Sequence, residues 1–289
     1  MSQTVPGEVS GVVPIQGPLL IDAHVHLHSA HDPSQLLKAA AANGRKAAAR
    51  MGLAKPVVGL IVVDMRGQDG FSRLRGGTWT VPGWEMGPMG DPISLMARSS
   101  EGETVLLFAG RQMATQERLE VLSLLSDQPV PDGLDLSETV RRVHAAGGLP
   151  VIPWGFGKWT GQRRDLLKGF LENTPYPVFL GDSGGRPAID RAEILFGEAA
   201  GRGIWNLPGT DPLPLSWEER RAGECGFILR DGLPGDRPGE ALRQYLAELA
   251  AQPELYGRRR SLPGCLVSQI GLRLPGLKPA GGAVVSRPA

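Results

Sequence analysis

The chain has 289 residues, with 31 Lys and Arg against 30 Asp and Glu and a formal net charge of +1. That balance argues against a global field drawing the protein to nucleic acid or to an anionic membrane, so neither is expected as a partner. The two cysteines, Cys225 and Cys265, show no Cys-x-x-Cys spacing, which excludes a disulfide scaffold and a zinc ribbon.

No basic leader with an apolar core opens the sequence, and no run approaches the roughly 18 apolar residues of a membrane span, so a cytoplasmic protein is expected. The length fits one α/β barrel of about 250 residues plus tails. The reading is a loose lead-in over 1–17, one domain over 18–273 and a flexible tail over 274–289. The 40 glycines and 25 prolines lie mostly between apolar runs and mark turns. One basic run, Arg258-Arg259-Arg260, is too short for a binding patch and reads as a solvated face.

The first strand is Leu19 to Leu27, an apolar run broken by Asp22 and ending in His24-Val25-His26-Leu27-His28. Residues i and i+2 of a strand share a face, so His24 and His26 can aim both imidazoles at one point, as two ligands of one metal ion must. Asp32, Pro33 and Gln35 then form a capping sequence for a helix running to about Met51. Pro56 to Asp64 is continuously apolar and suits a strand buried on both faces. Strand, helix and buried strand together predict a parallel βαβ unit.

Glycine and proline punctuate 66–103, with Trp79, Trp84, Met86 and Met89 between them. This stretch reads as an inserted flap with short strands near Thr78–Val81 and Ile93–Ala97. Strands follow at Thr104–Gly110 and Leu119–Leu125. An alternation then resumes: a helix from Leu136, a strand at Leu149–Pro153, a helix around Leu166–Leu171 and a strand at Pro177–Leu180. A helix from Pro187 and a strand at Ile204–Leu207 come next. Helices at Trp217 to about Phe227 and Glu240 to about Ala251 close the array. The sum predicts a distorted TIM-like barrel of seven or eight β/α units with a flap after the second strand.

In such barrels function sits at the C-terminal ends of the strands. Those ends supply His24 and His26, Asp64, Arg111-Gln112, Trp154, Asp182 and Asp211. Histidine with carboxylate suits zinc, with manganese or iron as alternatives. A divalent ion there would make a water nucleophile available at neutral pH. Gly181-Asp182-Ser183-Gly184-Gly185-Arg186-Pro187 reads as a glycine turn before a helix start, with Arg186 as an anion-binding fork or as a partner of Asp182. His144 reads as a helix-surface histidine, and Asp64 as a strand-ending salt bridge.

Leu20-Ile21-Asp22-Ala23-His24-Val25-His26 resembles the opening of the amidohydrolase superfamily and of the polymerase-and-histidinol-phosphatase (PHP) domains. The order of Glu120–Leu124, Leu136–His144 and Gly147–Pro153 is closer to the PHP group. Asp211 in Gly209-Thr210-Asp211-Pro212 resembles that group's late Gly-Ser-Asp motif and the amidohydrolase Thr-Asp-x-Pro ending. Gly110-Arg111-Gln112 stands where PHP domains place Glu, Pro153-Trp154 where they place His-Pro, and Leu213 where a further His falls. The resemblance therefore implies a reduced site rather than a trinuclear one.

The expectation is a metal-dependent hydrolase acting on a small anionic substrate, through a phosphoester or a C–N or C–O bond. His24, His26 and Asp211 hold one divalent metal, with Glu120, Asp182 and His31 as candidates for a further ligand. Asp211 or Asp182 acts as general base, and Arg186, Lys158 and Gln112 contact substrate. The rival expectation is a catalytically silent barrel whose Trp79, Trp84, Trp154 and Trp159 line a ligand or partner surface.

Overall fold

The computed structural model describes residues 15–187, 192–233, 235–257 and 262–273. Most of the expected lead-in, the whole expected tail, the Arg258–Arg260 run and the start of the helix expected from Pro187 lie outside those residues. In chain order the elements are β1 (Leu19–Val25), α1 (Pro33–Arg50), β2 (Val57–Asp64), α2 (Gly70–Arg75), β3 (Trp84–Pro88), β4 (Ser94–Ser99), β5 (Thr104–Ala114) and β6 (Glu120–Leu124). Then come α3 (Leu136–Ala145), β7 (Leu149–Pro153), α4 (Gly161–Asn173), β8 (Phe179–Gly181), α5 (Ala192–Ala200), a 3-10 turn (Glu218–Arg221), β9 (Gly226–Leu229), α6 (Pro238–Ala247), β10 (Glu254–Tyr256) and α7 (Leu262–Gly271).

The first three elements form as the apolar runs require. All seven residues of β1 are buried, and β2 pairs parallel to it, Leu19 opposite Val57 through Asp22 opposite Leu60. The Asp32 carboxylate caps α1 by accepting from Ser34 N at 2.8 Å and Gln35 N at 3.4 Å, with Pro33 in the first turn. Gln35 does not complete a capping box, because the Asp32 N–H donates to Glu219 Oε2 at 2.6 Å instead.

The TIM-like barrel is overturned. The sheet is mixed, in the order β10-β9-β1-β2-β5-β6-β7-β8, with β4 pairing onto β5 and β3 onto β4. Helix and strand do not alternate around it. The reversal at β6 has a local cause. Only residues 115–119 join β5 to β6, and Thr115 N bonds Leu119 O at 2.9 Å. A parallel crossover needs a dozen or more residues, so this link makes an antiparallel hairpin. The second reversal replaces an expected helix. From Trp217 the chain makes only the 3-10 turn before Gly223, whose φ of 76° is a left-handed value that ends it. Gly226–Leu229 then runs antiparallel to β1 as β9, and β10, unpredicted, pairs with β9.

The expected flap belongs to the sheet. Its strands fall later than predicted, at β3 and β4, and β4 lies antiparallel on β5 from Ser94 opposite Phe108 to Arg98 opposite Thr104. Buried Asp91 ties this insertion to the far end of the chain by accepting from Gly239 N at 2.8 Å at the start of α6. The tryptophans proposed as a ligand surface are packing residues. Trp154 and Trp159 are buried in a core cluster with Leu167 and Leu180, and Trp79 and Trp84 pack against the main core.

The predicted strand Ile204–Leu207 is a looser connector. Leu207 N donates to Leu180 O at 2.8 Å, Gly209 N to Asp182 O at 3.0 Å, Ala23 N to Pro208 O at 3.2 Å and Asp211 N to His24 O at 2.8 Å. This segment therefore spans from β8, an edge strand, to the C-terminal end of β1, an interior strand.

Candidate metal centre

The site is built where that connector meets β1. The β1–β2 register shifts between Asp22 and Val25. Such an irregularity re-aims side chains at a strand end, and here it turns the backbone of Ala23 and His24 toward 208–211. Gly209 makes the approach possible: a Cβ at 209 would fall 2.3 Å from His24 N. Asp211 itself sits at φ 46°, a left-handed conformation that aspartate tolerates better than most residues.

Asp22 clamps the two segments together. Its buried carboxylate accepts from Thr210 N at 2.8 Å, Thr210 Oγ1 at 2.6 Å and Gly223 N at 2.9 Å. Burial pushes its pKa up to about 6, against the lowering effect of these hydrogen bonds. Sequence reasoning assigned Asp22 no role. The signal was present in the lone charge inside an otherwise apolar, fully buried strand.

The result is convergence of three of the predicted residues. His24 Nε2 and His26 Nε2 lie 2.9 Å apart, and Asp211 Oδ1 lies 3.7 Å from the first and 3.6 Å from the second. Among the described residues these form a potential metal-binding group. Zinc bonds of about 2.0–2.2 Å in tetrahedral array imply ligand atoms about 3.3 Å apart, so the observed spacings bracket what the ion requires. The tautomer also fits. His26 Nδ1 donates to Val63 O at 2.7 Å, which leaves its Nε2 bare and turned to the cluster.

Electrostatics favour neutral imidazole and ionised carboxylate. Burial, opposed by Asp211, lowers the His24 pKa to about 4. Burial raises the Asp211 pKa, but His24, His26, His28 and Lys158 outweigh it and leave the carboxyl below its ordinary value. The histidines beyond the cluster form a ladder, with ring centroids 5.1 Å apart from His26 to His28 and from His28 to His31. His28 Nε2 is held by Pro212 O at 3.1 Å and His31 Nε2 by Leu213 O at 2.8 Å, so both brace the loop carrying Asp211.

The other predicted residues divide. Gln112 Oε1 is 3.2 Å from His24 Nε2, its Nε2 donates to Glu120 Oε1 at 3.2 Å, and Lys158 is ion-paired with Glu120. Gln112 thus reaches the cluster directly, with Glu120 and then Lys158 lined up behind it. Asp182 and Arg186 do not join it. The Arg186 guanidinium, wholly buried, donates to Asp182 Oδ1 at 2.7 Å and Oδ2 at 2.6 Å and stacks on Phe196. Asp64 accepts from Gly70 N and Phe71 N, capping α2 rather than forming a strand-end salt bridge. His144 packs on Tyr176 at the surface, as expected.

No family model and no curated protein matches the chain. Among solved structures, PsfC from Pseudomonas syringae PB-5123 superposes with a TM-score of 0.50 at 18% identity, over 88% of this chain and 97% of that one. This likeness concerns the fold. Endonuclease Q in complex with a 27-mer duplex substrate carrying an abasic lesion matches at TM-score 0.47 and 13% identity, over 81% of this chain and 57% of that one. The expectation of no nucleic-acid partner is withdrawn. Net charge was its sole basis, and net charge does not report local fields. No helix among the described residues is long and apolar enough to cross a membrane.

Proposed function

We propose that the chain is a metal-dependent hydrolase in which His24, His26 and Asp211 hold one divalent ion, zinc in the first place, for attack of water on a small anionic substrate. The observation that carries this reading is the convergence of two imidazole nitrogens and a carboxylate oxygen within 2.9–3.7 Å at the end of β1. A bound divalent ion supplies Lewis acidity and lowers the pKa of water to about 7. The chain supplies the rest. His26 is oriented by Val63 O, and the loop bearing Asp211 is fixed by Asp22 through Thr210. Asp211 is the better candidate for general base, because both Asp182 oxygens accept from Arg186. Arg186 is likewise committed to a buried pair, which leaves Lys158, half-buried beside the cluster, as the cation for an anionic substrate group.

The bond cleaved is a phosphoester or a C–N or C–O bond. Metal analysis of protein purified without added metal, with His24→Ala as control, tests the core of the reading. About one equivalent in the wild type and a loss in the variant are expected. Less than about 0.1 equivalents in both, with no gain on reconstitution, would overturn it. A metal-supplemented screen of phosphomonoester, phosphodiester, lactone and amide substrates then sorts the bond.

A further inference from the structure

We infer that Gln112 is the fourth protein ligand of the centre, through its amide oxygen, and that Glu120 is the positioning residue that keeps this oxygen facing the metal. The inference rests on the metal reading above and names what completes it.

The backbone brings the residues together. In the β5–β6 hairpin Gln112 stands opposite Leu122 and Ala114 opposite Glu120, so Gln112 and Glu120 share one face as diagonal neighbours. On that face Gln112 spans from Glu120 to His24, with 3.2 Å at each end. Lys158 reaches Glu120 from the loop after β7. Four side chains from β1, β5, β6 and that loop thus form one line from an ammonium to the histidine pair.

Chemistry decides which way the amide points. An ionised carboxylate only accepts hydrogen bonds, and an amide carries two N–H donors on nitrogen and none on oxygen. Glu120 paired with Lys158 therefore takes the nitrogen side of Gln112, and the oxygen must face His24. Amide oxygen is a neutral, hard donor suited to divalent cations. With it the centre becomes two imidazole nitrogens, one carboxylate and one amide oxygen, a four-ligand set bearing a single negative charge, to which the attacking water of the proposed reaction would add as a fifth ligand. The sequence reading placed Gln112 and Lys158 on the substrate. The geometry gives Gln112 to the metal, and Lys158 to Glu120 with N–H donors to spare.

The test is titration of chelator-stripped full-length protein with zinc and with cobalt(II), following affinity and the visible spectrum of the cobalt form. Gln112→Leu is expected to weaken binding about 10–100-fold and to alter the cobalt spectrum, because a donor leaves the coordination sphere. Glu120→Gln, which can donate to the Gln112 oxygen and turn the amide round, is expected to weaken binding about tenfold. Gln112→Glu combined with Glu120→Gln restores an oxygen toward the metal and a donor behind it, and is expected to recover wild-type affinity. Unchanged affinity and spectrum in Gln112→Leu, beside a wild type that binds one equivalent, overturns this inference alone. Equal affinity in the Glu120→Gln single and the double variant overturns the positioning role, even if Gln112→Leu folds poorly. A wild type that takes up no metal overturns the metal reading and this inference with it.

Discussion

Two clusters of charge lie at the strand ends on either side of the 205–211 connector, and they are opposites. At Asp182 and Arg186 opposite charges meet directly: a buried guanidinium lies fork to fork against a carboxylate, with Glu193 Oε2 a further 3.3 Å acceptor. At His24, His26 and Asp211 the close atoms are mostly acceptors turned toward one another, with two ring nitrogens at 2.9 Å and a carboxylate oxygen near both. The first arrangement balances a cation against carboxylates and calls for no metal ion. The second gathers lone pairs around a point, which a cation stabilises. Nearness to a strand end and charged residue types therefore do not define a site; convergence of metal-ligating atoms on one point does.

The largest expected effect breaks the second cluster. Asp211→Ala or His24→Ala should take metal content from about one equivalent to under about 0.1, measured by elemental analysis, with little loss of fold in metal-free protein. Breaking the first cluster should do the reverse. Arg186→Met removes the guanidinium from a buried pair and should cost about 3–5 kcal/mol in urea unfolding, with metal content unchanged. Equal metal loss in both variants would erase the distinction.

A pH series sharpens it. His24 is held near pKa 4 in the fold against 6.5 in the open chain, so the fold prefers it neutral. Its contribution is present above pH 6.5 and is lost as pH falls toward 4, by on the order of 3 kcal/mol in metal-free protein. Asp22 opposes this in part. Its folded pKa of about 6 lies above the ordinary 3.8, so its ionisation makes stability fall as pH rises from about 4 to 6. Urea midpoints of wild type and Asp22→Asn should therefore diverge in slope across that window. The smallest effect belongs to neither cluster. Asp135, which accepts from Glu138 N at 2.8 Å, caps α3, and Asp135→Ala should cost about 1 kcal/mol with no change in metal uptake.

Much of this contrast was legible before any coordinates. The i, i+2 histidines and the βαβ opening follow from strand periodicity and apolar runs, and the late Asp211 from the resemblance of Gly209-Thr210-Asp211-Pro212 to a known motif. Asp182 and Arg186 were legible as a pair or as an anion site, and residue types alone did not choose between them. The barrel failed because direction is not written in apolarity. The five-residue link after β5 and the break at Gly223 reverse strands whose composition would suit either sense. Glu120 and Lys158 came within reach of Gln112 only through a hairpin whose register no local pattern reveals.

The clamp between Asp22 and Thr210 joins residues 188 positions apart. Contacts so distant in sequence close late in folding, because loop entropy must be overcome before they form. A nascent chain that has not yet delivered residue 211 holds two histidines but no centre. Metal uptake is thus tied to completion of nearly three-quarters of the chain. In refolding experiments it should trail the recovery of helical signal, marking the last stretch of assembly rather than its start.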